Sequence, residues 1–344
     1  MKLMIHGEGD SAKGLGHLVR ALGLAFELSP QHEIIFAVSA ANLSTAEALK
    51  SQLSKWYAPH DFSIIALGEI SPLPHGDNGW RTAASATQAA LVKAAKSANI
   101  DVLISDGKFE WSPSEVEQLA TTAKLILIDN LAPSRGLADF VIYPTGHASD
   151  EMIAPIKPER LRTGLEWSWI HPAAKKLSQA SASQTLQCTI SMGGADPEQL
   201  TLRLMKAIST ILPEGKKAVV IGRSFSHAAE VKALGNQLKN WEFIDGGESA
   251  FEAFKKSKSV VCAFGITVYE CMAMGIPTGI VPHDYDSAAD ANLLLKRYPN
   301  AGFLLKDTSE ESVRIFLNRK KNDTLDSTLT SKIGQLSTQI SALI

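Results

Sequence analysis

Residues 2–22 read KLMIHGEGDSAKGLGHLVRAL, and residues 188–208 read CTISMGGADPEQLTLRLMKAI. Each stretch is a short apolar run, then a glycine-rich turn, then a helix-like segment. This is how a doubly wound α/β domain begins, and ligands of such sheets gather at the carboxyl ends of the strands. One copy in each half of the chain predicts two consecutive domains of that kind.

The rest of the chain extends both copies. Beyond the run at 3–5, apolar runs at 33–38, 62–67, 101–104, 124–128 and 140–143 read as strands. Helical patterns lie between them at 17–28, 45–54, 81–97 and 112–123, the last with Ser112 as a plausible N-cap and Pro113 at its first position. Continuous apolar strands separated by helices predict a parallel sheet covered on both faces. The pattern pauses over 145–183 and restarts with strands at 187–191, 217–221, 241–244, 259–263, 278–281 and 302–305. Helices are expected there at 199–211, 227–238, 249–256, 268–274 and 287–297. Apolar residues at Leu325, Leu329, Ile333, Leu336, Ile340 and Leu343 step by three and four, as on an amphipathic helix. The expected organisation is a first domain over 1–168, a linker over 169–184, a second domain over 185–324 and a terminal helix over 325–344. Two such domains facing one another would enclose a cleft.

Composition narrows the function. The 344 residues are 45% apolar, enough for real cores, so disorder is excluded as the main state. Lys and Arg number 34 against 36 Asp and Glu, a net charge of −2, which argues against a partner held by its phosphate backbone, such as nucleic acid. Cys188, Cys262 and Cys271 lack metal-ligand spacing and cannot build a disulfide framework, which fits a reducing, cytoplasmic setting. No apolar run approaches the roughly 18 residues of a membrane span, and the chain opens on a strand rather than a signal peptide. No basic apolar patch suggests action at a membrane surface.

Three segments carry candidate chemistry. In the first, Gly7, Gly9 and Ala12 satisfy a dinucleotide-binding spacing, but the glycines run on and no acid ends the second strand, so a nicotinamide or flavin site is not expected. The same segment holds Gly14-Leu15-Gly16-His17-Leu18-Val19-Arg20, with Glu8 and Ser11 before it. His17 falls in the first turn of the helix, where the dipole disfavours added positive charge and so favours a neutral ring able to accept a proton. It reads equally as a histidine that merely caps the turn.

In the second segment Gly193 and Gly194 can cradle a diphosphate beside Asp196, or form a tight turn with Asp196 as a cap. The third, CAFGITVYECMAMGIP at 262–277, puts Gly265 and Thr267 at a helix N-terminus suited to phosphate. Glu270 lies one turn on, placed for a ribose diol or simply favourable on the dipole. Asp106, Asp129, Asn130 and Asp284 follow apolar strands and read as pocket residues or as caps.

The order G-x-G-H-x-x-R, S-x-G-G-x-D-P and G-x-T-x-x-E-x-x-A-x-G-x-P resembles one family. It is that of the UDP-2,4-diacetamido-2,4,6-trideoxy-β-L-altropyranose hydrolases of pseudaminic acid biosynthesis, with the spore coat polysaccharide glycosyltransferase-like proteins. More distantly it is similar to the lipid-linked N-acetylglucosaminyltransferase of peptidoglycan synthesis. The segments DVLISD (101–106), KLILIDNLAP (124–133), LADFVIYPT (137–145) and RLRTGLEWSWIHP (160–172) share in it, so it spans most of 1–305.

The resemblance implies a glycosyltransferase type B fold, two Rossmann-like domains facing a nucleotide-sugar cleft. It makes His17 the catalytic base. Glu8, Ser11, Gly14, Gly16, Arg20, Asp106 and Asn130 then fall on the sugar side. Gly193, Gly194, Asp196, the backbone at Ile244, Gly265, Thr267 and Glu270 hold the nucleotide. Where the family usually has Arg-x-Asp, this chain has His6 and Glu8; where it has A-G-G-S-T, this chain has Ala263-Phe264-Gly265-Ile266-Thr267. No cofactor and no metal are implied, and the protein is expected to be a monomer or weak homo-oligomer. The first expectation is a UDP-sugar hydrolase in pseudaminic-type or surface glycan synthesis. The alternatives are a glycosyltransferase using the same kind of donor, and an inactive nucleotide-sugar binder.

Overall fold

The computed structural model describes residues 1–9, 15–58, 61–68, 79–144, 148–283, 285–319 and 330–344, with the backbone alone at 79–87 and 285–286. It divides into two compact units.

The first unit holds a seven-stranded sheet: β1 Lys2–Gly7, β2 Glu33–Ser39, β3 Ser63–Leu67, β4 Val102–Asp106, β5 Lys124–Ile128, β6 Phe140–Tyr143 and β7 Leu161–Thr163. Their order is β3-β2-β1-β4-β5-β6-β7, and every pair is parallel. Its helices are α1 Gly16–Leu28, α2 Leu43–Leu53, α3 Gly79–Ala98, α4 Pro113–Ala120 and α5 Asp150–Ile153. β4 is buried along its whole length and β1 from Leu3 onward, as strands covered on both faces must be. Ser112 does cap α4: its hydroxyl accepts from Glu115 N–H while the Glu115 carboxylate accepts from Ser112 N–H.

The second unit opens with α6 Pro172–Ser178 and carries a six-stranded parallel sheet. Its strands are β8 Cys188–Ser191, β9 Lys217–Ile221, β10 Trp241–Asp245, β11 Val260–Ala263, β12 Thr278–Val281 and β13 Phe303–Leu304. The order is β10-β9-β8-β11-β12-β13. The helices are α7 Leu200–Ile211, α8 Ala228–Leu238, α9 Glu248–Lys255, α10 Ile266–Ala273, α11 Tyr285–Arg297 and α12 Glu310–Leu317.

Three features depart from the sequence reading. The stretch expected as a linker contains α6, which packs on α9 and α10 and begins the second unit at Ile170. β7 and α12 lie outside the elements read from the sequence. The tail forms a short helix, α13 Leu336–Ser341, packed on α1 and on the 3-10 turn Leu165–Trp167, so that Gln335–Ile344 belongs to the first unit. Leu325 and Leu329 lie outside the described residues.

Both sheets reverse their winding direction once, between β1 and β4 in the first and between β8 and β11 in the second. A crevice at such a reversal is where doubly wound sheets bind ligands. The register sets Gly7 opposite Asp106 and Ser191 opposite Cys262, so the glycine turns flank the two reversals.

Candidate functional sites of the two units

In the first unit a single close approach builds the site. A Cβ on Gly7 would stand 2.5 Å from the Cβ of Ala21, so glycine lets α1 press against the end of β1. That brings the first turn of α1 over the end of β4, where Asp106 is fully buried. Arg20 binds Asp106 through two donors, Nε to Oδ2 at 2.7 Å and Nη2 to Oδ1 at 2.6 Å. His17 Nδ1 lies 2.9 Å from Asp106 Oδ1 and 3.0 Å from Arg20 Nη2. An ionised carboxylate can only accept, so Nδ1–H donates to Asp106 Oδ1. The lone pair of His17 then sits on Nε2. His17 is a third exposed, enough to meet a substrate.

The charges support one another. Burial pushes the Asp106 carboxyl up, but Arg20 and then His17 outweigh it and hold it below its ordinary value. Burial likewise opposes the Arg20 charge, and Asp106 and Asp129 more than restore it. Asp129 was read from the sequence only as a strand-end acid. Its Oδ2 stands 3.9 Å from His17 Nε2 and 3.6 Å from Arg20 Nη2. The signal was an acid directly after an apolar strand, KLILID, repeating DVLISD one strand over.

Two expected sugar contacts are otherwise engaged. Glu8 accepts from Ser39 N–H at 2.6 Å, Ser39 Oγ at 2.7 Å and Asn42 Nδ2 at 2.6 Å, which ties the turn after β1 to the end of β2. Its other neighbour is buried His6, at 3.3 Å. Burial raises the Glu8 carboxyl, and these partners together bring it below its usual range. Asn130 is fully buried; its amide donates to the Gly107 and Phe109 carbonyls and its oxygen accepts from Ala132 N–H. Both residues shape the site, and their polar atoms are spent on protein partners. Gly16 is the first residue of α1, whose N-terminus has no side-chain cap. Ser11 and Gly14 lie outside the described residues.

The second unit builds with backbone instead. Gly193 has φ +77°, and neither Gly193 nor Gly194 has any atom within 4 Å of where a Cβ would stand. Gly222, after β9, closes beneath them: its Cβ would meet Gly194 O at 2.3 Å. Ser224 N–H donates to the same carbonyl at 2.9 Å. This rim of glycines at the ends of β8 and β9 includes one, Gly222, that the sequence reading did not single out.

Asp196 belongs to the frame of the rim. It is 3% exposed, and its carboxylate caps α7 by accepting from Leu200 N–H at 2.9 Å and Thr201 N–H at 3.0 Å. His227 Nε2 approaches it at 3.3 Å. The expected nucleotide contact is therefore corrected to the cap reading, because both carboxylate oxygens are used.

Across the reversal, Gly265 precedes α10 with open space where a Cβ would stand, and the helix start has no side-chain cap. Thr267 is half-buried in the first turn. Glu270, one turn on, points inward: it is 5% exposed and accepts from His171 N–H at 3.2 Å. Burial pushes its carboxyl up to about 7, partly offset by that N–H. Ile244 is half-buried on β10, packed on Leu186, Ala218 and Ala253. β10 is the edge strand of its sheet, so one backbone edge there has no strand partner.

Known proteins resemble this chain at low sequence identity. No protein-family model matches it. It is 24% identical over 302 residues to an uncharacterized protein of Methanocaldococcus jannaschii, covering 82% of this chain and 55% of that protein; the chain spans about half the length of that relative. It is 21% identical over 285 residues to the spore coat polysaccharide biosynthesis protein SpsG of Bacillus subtilis, covering 80% and 76%. Among solved structures, the spinosyn rhamnosyltransferase SpnG superposes with TM-score 0.65 at 15% identity over 100% of both chains. MurG of Acinetobacter baumannii gives 0.63 at 14% over 100% and 99%. The UDP-GlcNAc 2-epimerase of Neisseria meningitidis, bound to UDP-GlcNAc, gives 0.59 at 9% over 99% of each. The fold is the type B glycosyltransferase architecture of two Rossmann-like domains.

Against that architecture, the structure gathers His17, Arg20 and Asp106 at one reversal and Gly193 and Gly194 at the other. Gly265 and Thr267 lie beside the second. Among the described residues, no group of three or more His, Cys, Asp or Glu side chains is arranged to hold a metal ion, and no helix is long and apolar enough to cross a membrane.

Proposed function

We propose that this chain is a nucleotide-sugar-dependent glycosyl-transferring enzyme. His17 takes the proton from a hydroxyl nucleophile as it attacks the anomeric carbon, and the second unit binds the nucleoside diphosphate. The observation that carries this reading is the Asp106–His17 pair at 2.9 Å, which leaves a basic nitrogen on a partly exposed ring. When Nε2 takes the proton, Asp106 and Asp129 stabilise the imidazolium that forms. The open glycine rim and the uncapped start of α10 offer backbone N–H groups to a diphosphate leaving group, with no need of a metal ion in the binding reading.

UDP is the nucleotide supported best. Solved neighbours of this fold are described in complex with UDP-GlcNAc, and with UDP and glucose. The β10 edge offers backbone donors and acceptors to a uracil. The spore coat polysaccharide relative and the rhamnosyltransferase neighbour favour an acceptor hydroxyl as the nucleophile. Hydrolysis is the second reading. The G-x-G-H-x-x-R motif order supports it, and Nε2 can take a proton from water as readily as from an alcohol.

UDP release from a panel of UDP-sugars, with and without a polyol or glycan acceptor, tests both. Replacing His17 by Ala should lower turnover by about 10²–10⁴-fold, the usual size of a general-base effect. Turnover within a few-fold of the parent would remove His17 from the mechanism. Release that needs no acceptor would favour hydrolysis.

A further inference from the structure

The site of the first unit holds two carboxylates where one suffices to orient the base. Asp106 accepts the hydrogen bond from Nδ1–H. Asp129 faces the other nitrogen, with Oδ2 3.9 Å from Nε2. That gap is too long for a direct hydrogen bond, yet one oxygen atom can lie about 2.8 Å from both ends of it.

Asp129 is also held in place. It sits just past β5 at φ +56°, a region that costs a non-glycine residue of order 1–3 kcal/mol unless its surroundings enforce it. Its N–H donates to Ile142 O at 2.9 Å, and the next residue, Asn130, is fixed by three side-chain hydrogen bonds. Arg20 Nη2, 3.6 Å from Oδ2, keeps the carboxylate turned toward the imidazole.

Building on the reading of His17 as the base, we propose that Asp129 is a second acceptor for the nucleophile. The site then selects a nucleophile that presents two O–H hydrogens at one point: water, or the end of a vicinal diol. With water, one proton passes to Nε2 as the oxygen bonds to the anomeric carbon. The bond from that carbon to the diphosphate oxygen breaks, and its electron pair leaves on the phosphate. The second hydrogen stays on the new hydroxyl and is held by Asp129. With a diol, the attacking hydroxyl gives its proton to Nε2 while its neighbour keeps its own and donates to Asp129. A lone alcohol has a single hydrogen. Once that is committed to Nε2, its increasingly anionic oxygen faces the carboxylate with nothing between them.

The test is a competition during turnover of the UDP-sugar panel, with ethane-1,2-diol and 2-methoxyethanol present at equal concentration. Mass spectrometry counts free sugar, hydroxyethyl glycoside and methoxyethyl glycoside. The methoxyethyl product should trail the favoured product by about tenfold or more, the worth of one hydrogen bond to a charged group. Free sugar in excess identifies water as the nucleophile, and hydroxyethyl glycoside in excess identifies the diol. In Asp129→Asn, and in Asp129→Ala as a second variant, the preference should collapse; Asn suits the left-handed backbone at this position. A product ratio is insensitive to how much of a variant is folded. Equal product yields per mole of water, diol and monoether in the parent, or a preference that survives both variants, overturns the proposal alone. Full turnover in His17→Ala, or no UDP release by the parent from any donor, overturns the underlying reading and this one with it.

Discussion

The two units begin with the same device and end with opposite chemistry. In the first, Gly7 lets α1 close on β1, so side chains reach over the strand ends: two carboxylates each lie between 2.6 and 3.9 Å of an imidazole and a guanidinium. In the second, α7 starts at Leu200, well past Gly194. The intervening turn holds two left-handed residues, Asp196 and Gln199. The N-terminus of α7 is closed by the Asp196 carboxylate, so the surface left open is the glycine backbone itself. In both units the helix starts nine positions after the strand ends, at Gly16 after Gly7 and at Leu200 after Ser191, so the length of the connection does not make the difference. Where the helix packs down on the strand, side chains of its first turn can move protons. Where a carboxylate closes the helix start, the glycine backbone stays open to receive an anion.

The sharpest way to break this contrast is to remove a charge from the first unit. Asp106→Ala leaves Arg20 buried, with Asp129 at 3.6 Å as its remaining carboxylate neighbour. Stability should fall by about 3–5 kcal/mol, the cost of leaving one member of a buried ion pair behind. Denaturant unfolding measures it. A loss below about 1 kcal/mol, the worth of an exposed pair, would mean that the cluster is solvated and the contrast overstated.

What was legible in the sequence follows the same divide. Strand runs such as 124–128, 140–143, 217–221 and 278–281 match observed strands to the residue, because a strand buried on both faces needs an unbroken apolar run. His17, Arg20 and Asp106 were legible because a motif and a strand end placed them. Their joint geometry depends on Gly7 and on sheet order, which no local pattern records. Glu8 and Asn130 looked like pocket residues because they are polar and near strand ends; burial assigned them to the frame. Asp129 went the other way, since a cap and a pocket acid look alike in sequence and only its place 3.9 Å from His17 Nε2 tells them apart. The three-residue strand β7 is too short to carry any periodicity, whereas β13 falls inside the strand read at 302–305.

A buried carboxyl beside the reversal of the second unit sharpens the comparison. Glu270 is buried, and one backbone N–H is a weak substitute for water, so its carboxyl is pushed up to about 7. In the unfolded chain it titrates near the ordinary 4.5. Between those values the folded state keeps a proton that the unfolded state gives up. The stabilising contribution of this group is therefore complete below about pH 4.5 and is lost as pH rises to about 7. Glu270→Gln keeps the acceptor for His171 N–H and cannot ionise. It should leave stability unchanged near pH 4 and raise it above pH 7 by up to about 3 kcal/mol. Parallel pH–stability curves for parent and variant would show that Glu270 is charged and solvated, and that the second unit also stores charge at its site.

The smallest effect on stability belongs to the rim. Gly194 has no positive φ to forbid a side chain, and no atom lies within 4 Å of the place a methyl would take. Gly194→Ala should therefore change unfolding free energy by no more than about 0.5 kcal/mol, as for other substitutions that touch nothing. The methyl would nonetheless stand in the open space before the rim. If a diphosphate lies against this backbone, UDP affinity should fall by roughly tenfold, the equivalent of one hydrogen bond at about 1.4 kcal/mol. Titration calorimetry beside thermal unfolding separates the two quantities. A variant as stable as the parent that binds UDP less tightly identifies the rim as a binding surface. Unchanged affinity moves the diphosphate to the uncapped start of α10, where Gly265 offers the same open backbone on the other side of the reversal.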